Sequence, residues 1–106
     1  MTTIQADPGI CGFKAVITVE SDDSQLCTVK IETECDAIAS LAASLGEVDA
    51  YEAAFKSFSQ NPVYKVAEQH YRHAACPIPS AIIKAIEVEC SLALPKNVEF
   101  IVRVNR

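Results

Sequence analysis

Basic residues are in short supply: nine Lys and Arg face fourteen Asp and Glu in 106 residues, a net charge of −5. Without a basic excess there is little to displace counterions from a phosphate backbone, so the composition speaks against a nucleic-acid surface. Long apolar runs are missing as well. A bilayer-spanning helix needs ~20 consecutive apolar residues, and nothing here approaches that, so no membrane role is expected. Only three Gly and five Pro interrupt a chain that is 50% hydrophobic, which excludes a disordered or low-complexity protein. Met1 to Asp7 holds neither a basic region nor an apolar one, so no secretory signal is read there and a cytoplasmic location is expected. A single domain of this length, 1–106, buries roughly two-thirds of its unfolded surface and needs no covalent staples.

What the sequence does have is cysteine. Five thiols, at 11, 27, 35, 76 and 90, are many for a reducing compartment, and their odd number does not suit a disulfide framework. In such a setting thiols are metal ligands, catalysts or small buried hydrophobes.

Two segments alternate with a period of two. From Phe13 to Glu20 the apolar face is Phe13, Ala15, Ile17 and Val19. From Leu26 to Thr33 it is Cys27, Val29, Ile31 and Thr33. With Ser21–Gln25 as turn chemistry between them, they read as an N-terminal β-hairpin. Helical spacing follows. Asp36 is the expected cap of a helix through Ile38, Leu41 and Leu45 that stops at Gly46, and Asp49 opens a second through Tyr51, Phe55 and Phe58. Asn61-Pro62 opens a third with Val63, Val66, Ala67, His70 and Ala74 inward, and a fourth follows Cys76-Pro77-Ile78-Pro79. Ile82, Ile83, Ile86, Cys90 and Ala93 form one face of that fourth helix, which Leu94-Pro95 ends before a C-terminal strand from Val98 to Val104. The expected class is α+β: hairpin, three to four helices and a final strand, in a small antiparallel or mixed sheet with helices on one face. Residues 2–6 can add an edge strand.

Residues paired across a hairpin share a face, which sets Val19 against Cys27, Ile17 against Val29, Ala15 against Ile31 and Phe13 against Thr33. One further step brings Cys11 opposite Cys35, within reach of a common metal ion or of a disulfide. Cys76 precedes a helix start, where the positive end of the dipole and unpaired backbone donors favour a thiolate. His70 and His73 lie at three-residue steps before it. Three thiols and an imidazole are a recognised donor set, so Cys11, Cys35, Cys76 and His73 are the expected ligands of zinc or of an iron–sulfur centre. The competing readings are a thiol relay, with Cys76 as nucleophile and Cys11 or Cys35 resolving it, and a non-catalytic interaction domain with its cysteines in the core. Cys27 and Cys90 fall on apolar faces and read as buried fillers. A homo-oligomer and a redox or sulfur-transfer partner protein are compatible with all of this.

The segments Asp7-Pro8-Gly9-Ile10-Cys11-Gly12-Phe13 and His73-Ala74-Ala75-Cys76-Pro77-Ile78-Pro79-Ser80-Ala81-Ile82-Ile83-Lys84-Ala85-Ile86-Glu87, followed by Leu92–Lys96, resemble a family of small uncharacterised proteins of anaerobic bacteria and archaea. The resemblance implies a cytoplasm in which oxygen-sensitive thiol or iron chemistry is feasible, and it supplies no reaction. Locally, Cys76-Pro77-Ile78-Pro79 opening a helix that leads to a strand is similar to sulfur carriers that hold a persulfide on a Cys-Pro-x-Pro cysteine. That likeness implies Cys76 as the sulfur-bearing residue. In those proteins the motif follows a first strand, whereas here a helix is expected before it.

Overall fold

The structure, a computed structural model, describes residues 1–71 and 73–106. Its elements are β1 (Thr2–Ala6), β2 (Ala15–Glu20), β3 (Leu26–Thr33), α1 (Asp36–Leu45), β4 (Glu47–Asp49), α2 (Ala50–Phe55), α3 (Pro62–His70) and α4 (Ile78–Glu89). The four strands form one antiparallel sheet in the order β1-β2-β3-β4, with the helices forming the second layer of an α+β fold. α4 lies across β1 and β2, α1 lies on β3, and α3 and α2 fill in against α1 and α4.

Period-two patterning decides which face is buried. Ala15, Ile17, Val19, Cys27, Val29 and Val48 are buried, while Thr28, Lys30 and Glu32 between them are exposed. Opposite them Ile78, Ile82, Ala85 and Ile86 come from α4, and Ile38, Leu41 and Leu45 from α1, all in one cluster. Each fully buried Ile or Leu contributes ~1.5–3 kcal/mol, so this interface is the main source of stability.

The hairpin forms, but its register differs from the expected one by two residues. Val19 pairs with Val29, Ile17 with Ile31 and Ala15 with Thr33, and the ladder stops there. A slip of two preserves every inward face, so alternation cannot detect it. The turn decides it. The Asp23 carboxylate accepts from the Gln25 and Leu26 amides at 3.0 and 2.9 Å, the Ser21 hydroxyl donates to the Leu26 carbonyl at 2.8 Å, and Ser24 adopts φ 58°. The start of β3 thus runs past β2 and pairs with β4, a strand absent from the sequence reading. The geometry expected to set Cys11 against Cys35 is not realised. Cys11 is exposed on the loop between β1 and β2, where Gly9, at φ 98°, accepts from the Gly12 amide at 2.9 Å.

The edge strand over residues 2–6 is present as β1. Other boundaries shift. Cys35, not Asp36, occupies the cap position of α1. Phe58 lies beyond the end of α2 and Ala74 beyond α3. α4 ends at Cys90 rather than Ala93, with Ser91 turning the chain at φ 60°. The C-terminal strand expected over Val98–Val104 does not form. That stretch has no regular secondary structure, and its apolar residues are exposed. A strand needs a ladder partner, and here both edges of the sheet are left to β1 and β4.

Enclosed or partly enclosed polar groups tie α4 to the sheet and α2 to α3. Glu89 accepts from the Thr2 hydroxyl at 2.7 Å and the Ser21 amide at 3.3 Å, which fastens the end of α4 to the turn end of the sheet. Asn61 is buried. Its side-chain oxygen caps α3 through the Val63 amide at 3.0 Å, and its amide nitrogen donates to the Ala53 carbonyl at 2.7 Å. Asn61→Ala removes the cap and leaves that carbonyl unpaired, an expected loss of about 2–3 kcal/mol in urea unfolding. A change under about 0.5 kcal/mol, the range of ordinary surface substitutions, would show that Asn61 does not hold α2 to α3.

Candidate functional site

The thiols occupy three environments. Cys27 and Cys90 are buried, from β3 and the end of α4, with Sγ atoms 3.3 Å apart and no disulfide between them. Burial first, then the neighbouring Cys90 thiol, pushes the Cys27 thiol well above its ordinary value. Protonated and enclosed, Cys27 matches the filler reading, and Cys90 shares its burial. Cys11 is exposed. Cys35 and Cys76 are half-buried and pack against the core cluster.

Tyr71 joins the last two. It ends α3, its amide donating to the Ala67 carbonyl at 2.9 Å, and then turns its ring inward while the chain crosses to α4. Among the described residues its hydroxyl oxygen is buried without a hydrogen-bond partner. Burial raises the pKa of the phenol above its ordinary value, and the thiols of Cys76 and then Cys35 add to the shift. The two cysteines lie forty-one positions apart in sequence and, like Tyr71, pack against the core cluster. Helical spacing reveals which side of α3 Tyr71 extends, and tertiary packing against the core cluster decides that its ring is half-buried.

Beside this group lies a cleft of about 520 Å³ lined by Tyr64, Glu68, Tyr71, His73, Cys76 and Phe100, among others. His73 is exposed, and its ring stacks on that of Tyr71 at 6.1 Å and 6°. His70 is held elsewhere, with Nε2 3.0 Å from the Ser44 hydroxyl. Cys76 sits just before α4, whose cap residue is Pro77 and whose second residue is Pro79. Neither proline has an N–H, so the helix start offers fewer free donors than a sequence without them would. The Ser80 hydroxyl donates to the Pro77 carbonyl at 2.9 Å, so it stays within the first turn.

Of the four expected ligands, Cys35 and Cys76 both pack, half-buried, against the core cluster, and His73 lines the same cleft as Cys76. Cys11 stays on its loop, at the sheet end from which Cys35 emerges. Among the described residues, no group of three or more His, Cys, Asp or Glu side chains is arranged to hold a metal ion. The strand that would complete the likeness to Cys-Pro-x-Pro sulfur carriers does not follow α4.

Two measurements check this picture. Tyr71→Phe deletes an oxygen that has no partner, so stability in urea should be unchanged or higher by up to about 1 kcal/mol. A loss of more than about 1 kcal/mol would mean the hydroxyl is bonded in solution. For Cys27 the folded-state pKa lies above the unfolded one, so the unfolded chain releases its proton first as pH rises. Stability should be full below the ordinary thiol range and fall above it by about 1.4 kcal/mol per pH unit. Cys27→Ala should lessen that alkaline slope, and an unchanged slope would mean the thiol is not shielded.

Comparison with curated proteins and with solved structures gave no match. Among the described residues no helix is long and apolar enough to cross a membrane. The model of one protein family, described as a family of unknown function, DUF6951, matches residues 2–102, and the chain belongs to that family.

Proposed function

We propose that Cys76 and Cys35 are the working pair of a thiol site that exchanges disulfides with a partner protein docked at the cleft. What supports this reading is the half-burial of Cys35 and Cys76 against one core cluster, with Cys76 and Tyr71 on the wall of an open cleft. Cys76, on the cleft wall, is the nucleophile. Its thiolate attacks one sulfur of the partner's disulfide, forms a mixed disulfide and releases the first partner thiolate. The Cys35 thiolate then attacks Cys76 Sγ, forming the Cys35–Cys76 bond and releasing the second partner thiolate. The two protons lost by Cys76 and Cys35 pass through solvent to the two partner thiolates, so the partner is reduced by two electrons and this chain is oxidised by two. Tyr71 lines the cleft beside Cys76, and His73 stacked on it forms the rim.

A second reading, zinc or an iron–sulfur centre held by Cys35, Cys76 and His73 with Cys11 joining from its loop, is favoured by the soft donor set on one side of the molecule. It requires the loop and His73 to close inward.

Equilibration with a glutathione redox series, followed by differential alkylation and mass mapping, separates the readings. The expected product is a Cys35–Cys76 disulfide, lost in Cys76→Ser and in Cys35→Ser, while Cys76→Ser alone abolishes the mixed disulfide with glutathione. Oxidation confined to Cys11 would sink the relay. Near-stoichiometric zinc, or iron with acid-labile sulfide, in protein purified anaerobically without chelators would move the assignment to the metal reading.

A further inference from the structure

Residues 96–106 have the marks of a strand without a partner. Val98, Phe100, Val102 and Val104 alternate with Glu99, Ile101 and Arg103. All five apolar side chains from Val98 to Val104 are more than half exposed, Phe100 at 79% and Val102 at 86%. The segment is no foreign appendage, because the family match extends to residue 102. Its charge also differs from that of the body. It holds three of the nine basic residues (Lys96, Arg103, Arg106) and one of the fourteen acidic ones (Glu99), whereas residues 1–95 hold six and thirteen.

The sheet has a matching vacancy. β1 is an edge strand, paired only with β2. Edge strands of this kind are ordinarily guarded by lysine, proline or a bulge, and Thr2–Ala6 carries no lysine or proline. Its helix-side residues Ile4 and Ala6 are packed on the core yet only partly buried, so the apolar rim under α4 is unfinished at this edge. The chain's own segment does not cover it: Phe100 lies at the rim of the Cys76 cleft, beside α3 and the start of α4.

We infer that residues 98–104 pair as an added strand with the open edge of β1 in a second copy of this chain, each copy lending its segment to the other. Seven strand residues reach about 23 Å, enough to cover the five of β1. Added in register, Phe100 and Val102 continue the helix-side face of the sheet and close the rim left by Ile4 and Ala6, while main-chain bonds supply the affinity. A second copy is favoured because one two-fold operation satisfies two segments and two edges together. The flanking Lys96 and Arg106 also give residues 96–106 a net positive charge, set against a body of net negative charge. This inference does not depend on the chemistry of the thiols.

Sedimentation of the full chain under reducing conditions tests it, alongside amide hydrogen exchange. The expected result is a dimer in which the amides of residues 2–6 are protected and lose that protection as dilution releases monomer. Ile101→Pro removes a strand donor and distorts the pairing, and should weaken the dimer by at least about tenfold. Ile101→Val should leave it intact, and circular dichroism should show both variants folded. A chain that stays monomeric at all concentrations overturns the inference, whether the β1 amides are protected, meaning the segment folds back on its own edge, or open. A dimer that survives Ile101→Pro at full strength overturns it too, because the interface then lies elsewhere.

Discussion

The face that β2 and β3 turn toward α4 and α1 determines where everything else lies. Ile17, Val19, Cys27 and Val29 meet Ile78, Ile82 and Ile86 with no exposed apolar remainder between them. Strand residues alternate and helix residues recur every three or four positions, so only one rotation of α4 buries all three isoleucines at once. That rotation fixes where the chain enters α4. Cys76 therefore arrives at the edge of the core, half-buried, while Glu89 at the other end is fastened to Thr2 and Ser21. The thiol site is a consequence of this packing, with the helix clamped at one end and presenting a cysteine at the other.

The same packing sorts the thiols by solvent access, which matters more to their chemistry than their number. Cys27 and Cys90 lie inside the interface, and there burial holds the Cys27 thiol in its neutral form. Cys35 and Cys76 sit at its margin, where the core ends and a cleft begins. Tyr71 marks that boundary. Its hydroxyl, buried with no partner among the described residues, costs free energy in an otherwise well-satisfied structure. Asn61 is the contrast: buried, its side-chain oxygen caps α3 and its amide nitrogen holds α2.

Membership of a family of unknown function brings no reaction with it, so the functional reading stands on the site. The exposed segment after α4 is a separate matter. It concerns how sheet edges and apolar side chains are covered, and it lies beyond the packing that positions the thiols.

Much of the architecture was legible in local pattern. The inward faces of β2 and β3, the Asn61-Pro62 start of α3, the Asp49 start of α2 and the isoleucine face of α4 all rest on interactions within a few residues, so periodicity and capping chemistry suffice to read them. The burial of Cys27 and Cys90 follows from the same patterns. Three features could not be read that way. The hairpin register turned on the bonds of Asp23 and on the demand of β4 for the start of β3, while alternation is blind to a shift of two. The strand character of Val98–Val104 is present in the residues, but a strand exists only where a ladder partner does. The packing of Cys35 and of Cys76 against one core cluster involves the end of a strand and the start of a helix forty-one residues later. Composition and spacing determined which residues are apolar, which cap and which carry thiols. Only the tertiary structure decided which thiols are enclosed and which stand at the margin of the core, because that depends on how separate elements dock on one sheet.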